Sequence, residues 1–254
     1  MKKIILLASL FAIISCGTSE KPEKSANQEN TADNTEAMTQ KDLKEILDEK
    51  KANFELNASD EKKEIYAEGI ASVANSGVVE NALNVGDTAI NFTLKNALGE
   101  DVSLSTYLKK GPVVLTWYRG GWCPYCNLTL HRLQEELPNF KAEGANLLAL
   151  SPEVPDKSMS TKEKHELEFE ILSDLGNSVG HDYGIVYKLT DDVAEIYQDG
   201  FDLHGYNGDE SDELPLAATY IIDQNGIIQY AFLDAEYRNR AEPSEVIAAL
   251  KKLN

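Results

Sequence analysis

Two cysteines three residues apart carry the most chemistry in this 254-residue sequence, within Arg119-Gly120-Gly121-Trp122-Cys123-Pro124-Tyr125-Cys126. The run before them, Pro112-Val113-Val114-Leu115-Thr116-Trp117-Tyr118, is β-branched and aromatic and predicts a buried strand. After them, Cys126, Leu130, Leu133, Leu137 and Phe140 recur at helical spacing, with Pro138 predicting a kink. Cys123 therefore falls at a helix N-cap and Pro124 at the first helical position, where a missing N–H costs nothing. Free backbone N–H groups and the helix dipole there favour a thiolate, which makes Cys123 the expected nucleophile. Cys126 lies one turn on, facing inward, placed to close a disulfide once Cys123 is oxidised. Arg119 adds positive charge, and from Tyr107 to Arg132 there are four bases (Lys109, Lys110, Arg119 and Arg132) and no acids.

Other uses of this spacing fit less well. Attachment of a c-type haem needs His after the second cysteine, and residue 127 is Asn. Zinc needs two further ligands; His131 is expected on the helix surface, and His165, His181 and His204 are scattered. A purely structural disulfide across so small a loop contributes less loop-closure stabilisation than a long one. Dithiol redox chemistry is the favoured reading, with no metal and no cofactor expected.

The surrounding elements are those that must position the pair. Ala89–Leu94 and Val102–Leu104 flank Asn96-Ala97-Leu98-Gly99 as an expected hairpin. Ala145–Leu150 is a second buried strand, and 157–169 reads as a charged, exposed helix. Ala218–Asp223 and Ile227–Phe232 bracket Gln224-Asn225-Gly226, a strong hairpin signal, and Pro243–Leu253 closes as a helix. Strand–helix–strand units followed by a hairpin and helix predict an α/β domain with a mixed sheet covered on both faces.

Strand, Trp-Cys-Pro-Tyr-Cys, helix and a later proline before a strand together resemble the thioredoxin fold, a three-layer sandwich around a central mixed sheet. In that resemblance Pro215, within Glu213-Leu214-Pro215-Leu216, matches a cis-proline facing the active cysteines. More narrowly, Leu83–Leu94 and Tyr118–Asn127 resemble peroxiredoxin-like members of the alkyl hydroperoxide reductase/thiol-specific antioxidant family, over roughly residues 83–254. The resemblance implies a thiol-dependent peroxidase. Cys123 attacks a peroxide and becomes a sulfenic acid, Cys126 resolves it as a disulfide, and a thioredoxin-like or other dithiol donor recycles the enzyme. Trp122, Pro124, Tyr125 and Pro215 are the implied substrate contacts, with Arg119 stabilising thiolate or peroxide. Two positions depart from the family pattern. Gly120 stands where Thr or Ser is usual, and Ala217 stands roughly where an Arg is usual. Competing readings are an envelope thiol:disulfide oxidoreductase acting on proteins, and a non-enzymatic surface binding module.

The N-terminal segment, MKKIILLASLFAIISC, has a basic start and an apolar run too short to span a bilayer permanently. Ile13-Ile14-Ser15-Cys16 resembles the lipobox of bacterial lipoproteins, implying cleavage after residue 15 and lipidation of Cys16. Residues 16–38 are polar and read as a disordered tether, residues 39–81 as a helical extension with Ser59 capping its second helix, and 82–254 as the main domain. The expected location is a bacterial cell envelope, lipid-anchored to a membrane with the domain outside the cytoplasm. Forty-three acids against 24 bases leave a net charge of −19, which argues against a nucleic-acid partner. Nine of the acids, with no base, fall in Leu189–Leu214, read as a solvated acidic loop. It is expected to border the site, and its Tyr197, Phe201 and Tyr206 are candidates for an aromatic wall near the cysteines.

Overall fold

A computed structural model describes residues 41–253; the expected leader, Cys16 and tether lie outside the described residues. The chain begins with α1 (Leu43–Asn57), α2 (Asp60–Asn75) and the short α3 (Val78–Asn81). Ser59 caps α2 by accepting the Lys62 amide at 3.3 Å. Next come β1 (Thr93–Asn96), β2 (Asp101–Ser103), α4 (Leu104–Leu108), β3 (Val113–Trp117), α5 (Pro124–Ala142), β4 (Asn146–Ser151), α6 (Pro155–Lys164) and β5 (Glu170–Ser173). A 3₁₀ turn leads to α7 (Ser178–Asp182), β6 (Val186–Lys188), α8 (Asp191–Phe201), α9 (Leu203–Asn207) and β7 (Glu213–Pro215). The β8 (Thr219–Ile222)/β9 (Ile228–Phe232) hairpin and α10 (Pro243–Leu250) complete the fold.

Seven strands form one mixed sheet in the order β2-β1-β5-β4-β3-β8-β9. The β3–β4 and β4–β5 pairs are parallel, and β8 runs antiparallel to β3. Side chains alternate across a strand, so each central strand feeds two cores. Val113, Leu115 and Trp117 of β3 enter one core with Leu148, Leu150 and Tyr220. Val114, with Leu147, Ala149 and Ile221, enters the other. The second core is covered by α5, which buries Leu130, Leu133, Leu137 and Phe140, and by Val246 and Leu250 of α10. Helix and strand layers on both sheet faces match the thioredoxin-like expectation.

Helix α5 runs through Pro138 to Ala142. Three local expectations need correction. The helix expected over 157–169 runs instead from Pro155 to Lys164, and Leu167 and Phe169 turn inward before β5. The acidic stretch is a structured element rather than a solvated loop: α8 points its carboxylates outward and buries Val193, Ala194 and Tyr197. Charge density alone cannot reveal that a helix places its acids on one side and its apolar residues on the other. Finally, no peptide bond among the described residues is cis. Pro215 sits in a two-stranded ribbon opposite Val186, an extended setting that the ordinary trans bond satisfies.

The helical extension is part of the same compact unit, which spans 41–254. Leu43 and Leu47 of α1 are almost wholly buried against α5 in the second core. Val73 of α2 joins the first core, and Gly69 lets α2 approach Val193 of α8 so closely that an added Cβ would lie 2.9 Å from it. Leu47→Ala is therefore expected to lower the free energy of unfolding by about 2–5 kcal/mol within a single cooperative transition. Chemical denaturation followed by tryptophan fluorescence reads this out; an unchanged midpoint would mean the extension is merely appended.

Candidate active site

The site forms where β3 ends and α5 begins. Cys123 is the N-cap of α5, with Pro124 in the first turn, and the Asn127 amide donates to the Cys123 carbonyl at 3.0 Å. Both thiols are free and buried. Two glycines let the preceding loop lie flat. Gly120 has φ +154°, and a Cβ there would fall 2.2 Å from the Trp122 indole nitrogen. The usual Thr or Ser has no room in this chain because Trp122 occupies that space. A Cβ on Gly121 would meet Thr161 Oγ1 at 2.2 Å.

Donors converge on the sulfurs from two arginines. The Arg119 backbone N–H donates to Cys126 Sγ at 3.4 Å, and its Nη1 lies 4.0 Å from Cys123 Sγ. Arg240, far away in sequence, donates to Cys126 Sγ from Nη2 at 3.3 Å, while Nη1 is held by the Tyr237 and Asn239 carbonyls. Of the four bases noted around the motif only Arg119 reaches the sulfurs. Lys110 lies over Tyr107 at the opposite end of β3, and Arg132 pairs with Glu135 and Glu136. The second guanidinium at the pair thus comes from Arg240, while position 217 is Ala.

These contacts locate the negative charge. Burial pushes the Cys123 thiol well up, and its hydrogen bond to Cys126 adds to that. Burial also opposes ionisation of Cys126, but the bond from Cys123 and the charges of Arg240 and Arg119 outweigh it and hold Cys126 well below the ordinary thiol range. The donor contacts thus favour Cys126 over Cys123 as the sulfur that carries charge. Besides the helix N-terminus and Arg119 noted at Cys123, further donors converge on the second sulfur.

Arg119 is only 1% exposed. Its Nη2 donates to Tyr197 Oη at 2.8 Å, and its guanidinium carbon lies 4.2 Å from the Tyr237 ring centroid and 5.1 Å from those of Trp122 and Tyr197. Burial raises the Tyr197 phenol to about 12, so it stays protonated beside the cation. No carboxylate pairs with Arg119 among the described residues; aromatic faces and the sulfur pair surround it. Trp122 stacks on Phe201 at 4.2 Å and 12°, while Tyr125 meets Tyr237 edge-on. Tyr197 and Phe201 do form the aromatic wall, but Tyr206 lies elsewhere, under Lys157.

One buried carboxyl escaped sequence reasoning. Glu153, just after β4, accepts from the Gly121 amide at 2.7 Å and from Tyr118 Oη at 2.9 Å, fixing the loop from beneath. Burial raises its pKa, with those two donors opposing. Its only signal was its place beyond the carboxyl end of a buried strand. Pro215 does not line the cavity of about 300 Å³ that reaches Cys123; Trp122, Cys123, Pro124 and Tyr125 do.

An acid with a depressed pKa stays ionised down to that pKa and loses its charge only as pH falls through it. The reduced protein should therefore carry one thiolate at neutral pH, seen by absorbance at 240 nm. Arg240→Met should move the midpoint of that signal upward by roughly 1–3 pH units. A midpoint that stays put would remove Arg240 from the site.

Comparison with known proteins places this geometry. The AhpC/TSA family model matches residues 85–231, more than half the chain. Peroxiredoxin Q from Triticum aestivum is 29% identical over 180 residues, covering 71% of this chain and 70% of the relative. Peroxiredoxin Q from Sedum lineare is 30% identical over 168 residues, covering 66% and 76%. Among solved structures, peroxidoxin BcpB from Mycobacterium tuberculosis superposes with a TM-score of 0.54 at 19% identity, covering 68% of this chain and 99% of that one. A Xylella fastidiosa PrxQ mutant gives 0.54 at 19%, covering 67% and 97%. With strand, Cys123-capped helix and arginine-clamped thiol pair in place, the chain belongs to the AhpC/TSA family.

Proposed function

We propose that the protein is a thiol-dependent peroxidase in which Cys123 is the peroxidatic residue and Cys126 the resolving one. The observation that carries the assignment of roles is that Cys123 lines the aromatic cavity while Cys126 lies one turn beneath it, outside the lining. Transfer of the shared proton from Cys123 to Cys126 leaves a Cys123 thiolate at the N-terminus of α5, within reach of Arg119. That sulfur attacks the terminal peroxide oxygen and the O–O bond breaks. The alcohol departs with a proton, and the sulfur is oxidised to a sulfenic acid. Cys126, which its two arginines readily ionise, then attacks the sulfenic sulfur; an S–S bond forms and hydroxide leaves, protonated to water. A dithiol donor of thioredoxin-like type reduces the disulfide, taking up the two electrons the peroxide removed. Arg119 and α5 backbone amides take the place of the family's usual Thr in stabilising charge on the departing oxygen.

The reading as an oxidoreductase for protein disulfides uses the same pair. The cavity of about 300 Å³ at Cys123 is sized for a small substrate rather than a protein one. In the test, hydrogen peroxide and cumene hydroperoxide are each mixed with reduced protein and dimedone. Wild type should go on to a disulfide, Cys126→Ser should accumulate a trapped sulfenic acid on Cys123, and Cys123→Ser should react no faster than a free thiol. Oxidation of Cys123→Ser at the wild-type rate would reverse the two roles.

We further propose that the chain is a lipoprotein of a bacterial envelope, anchored through Cys16, on the strength of the basic start, short apolar run and Ile-Ile-Ser-Cys sequence. Among the described residues no helix is long and apolar enough to cross a membrane. Expression in a bacterium fed a clickable palmitate should label the wild type and leave Cys16→Ser unlabelled and released from the membrane fraction. Equal labelling of both would refute the anchor.

A further inference from the structure

The family match begins at residue 85, so α1 and α2 lie outside it. Yet these helices help to line the cavity at Cys123. Phe54 of α1 and Tyr66 of α2 line it together with Trp122, Tyr197 and Phe201. Their rings form a continuous chain: Phe54 to Tyr66 at 5.4 Å, Tyr66 to Tyr197 at 6.0 Å, Tyr197 to Trp122 at 5.1 Å, and Trp122 to Phe201 at 4.2 Å. Hydrogen peroxide needs none of this apolar surface. A cavity of about 300 Å³ walled by rings is the shape that buries an apolar body.

The extension also brings charge. Lys62 lines the cavity, its ammonium 5.8 Å from the Tyr66 centroid, and Lys50 stands 5.8 Å over Tyr125. Neither pairs with a carboxylate among the described residues, although acids outnumber bases nearly two to one in this chain. A ring-walled throat lined by Lys62, with Lys50 near Tyr125 and a thiol at its base, matches a molecule with an anionic end, an apolar body and a reactive oxygen pair.

We propose that the helical extension is a specificity element selecting an apolar hydroperoxide that carries a carboxylate. Phe54 and Tyr66 bind the apolar body, and Lys62 faces the carboxylate. The inference rests on the peroxidase reading above and deepens it.

The experiment compares kcat/KM for linoleic acid hydroperoxide, its methyl ester and hydrogen peroxide in wild type, Phe54→Ala, Tyr66→Ala and Lys62→Gln. Each readout is a ratio between substrates on one enzyme sample, so partial loss of folded protein cancels. The wild type should prefer the acid over hydrogen peroxide. Each aromatic truncation should lower the acid-to-hydrogen-peroxide ratio by about fivefold to tenfold, and Lys62→Gln should lower the acid-to-ester ratio by about two- to fivefold. Ratios that stay at the wild-type value in an active enzyme overturn the proposal, even if absolute rates fall. Failure of every peroxide to oxidise wild-type Cys123 is a different outcome: it removes the peroxidase reading and this inference with it.

Discussion

A guanidinium buried without a carboxylate sets the terms for everything around it. Removing a cation from water costs several kcal/mol unless nearby groups compensate. At Arg119 the compensation is distributed among three aromatic rings, the Tyr197 oxygen and the thiol pair. Ionisation of one thiol supplies the missing counter-charge, so the cation and the reactive sulfur stabilise each other. Arg240 strengthens this from the other side, and its contact with Cys126 favours charge on the inner sulfur. The outer sulfur is the one that lines the cavity.

This arrangement explains the departures from the family pattern. A threonine three residues before Cys123 would meet the Trp122 indole, and Trp122 is needed where it is because it stacks on Phe201 and walls in Arg119. Polar substrate stabilisation at that position has given way to an aromatic enclosure with a cation inside. The enclosure is assembled from four separate stretches: the motif loop, the acidic insert that folds as α8, the N-terminal helices and the late segment that carries Tyr237. None of them is complete alone, which is why the extension packs into both cores instead of standing apart.

Local sequence was informative where local forces decide the structure. A strand rich in β-branched residues, a proline after the capping cysteine and an Asn-Gly turn each act within a few residues, and β3, α5 and the β8–β9 hairpin followed. Ser59 was readable as a cap for the same reason. Short strands such as β6 and β7 carried no periodicity to read and exist because they pair with each other. The acidic insert misled because its charges are conspicuous, whereas Val193, Ala194 and Tyr197 on the opposite side do the packing.

By itself the sequence determined that two thiols stand one helical turn apart at a helix N-terminus, because spacing, proline and strand-to-helix transition are all local properties. Only the tertiary structure decided how those thiols are poised. Arg240 and Glu153 reach the motif from 114 and 32 residues away in the chain. The rings of α1, α2 and α8 close over it from three directions. A pKa depends on distances in space and on exclusion of water, and neither is encoded in the order of residues near the cysteines.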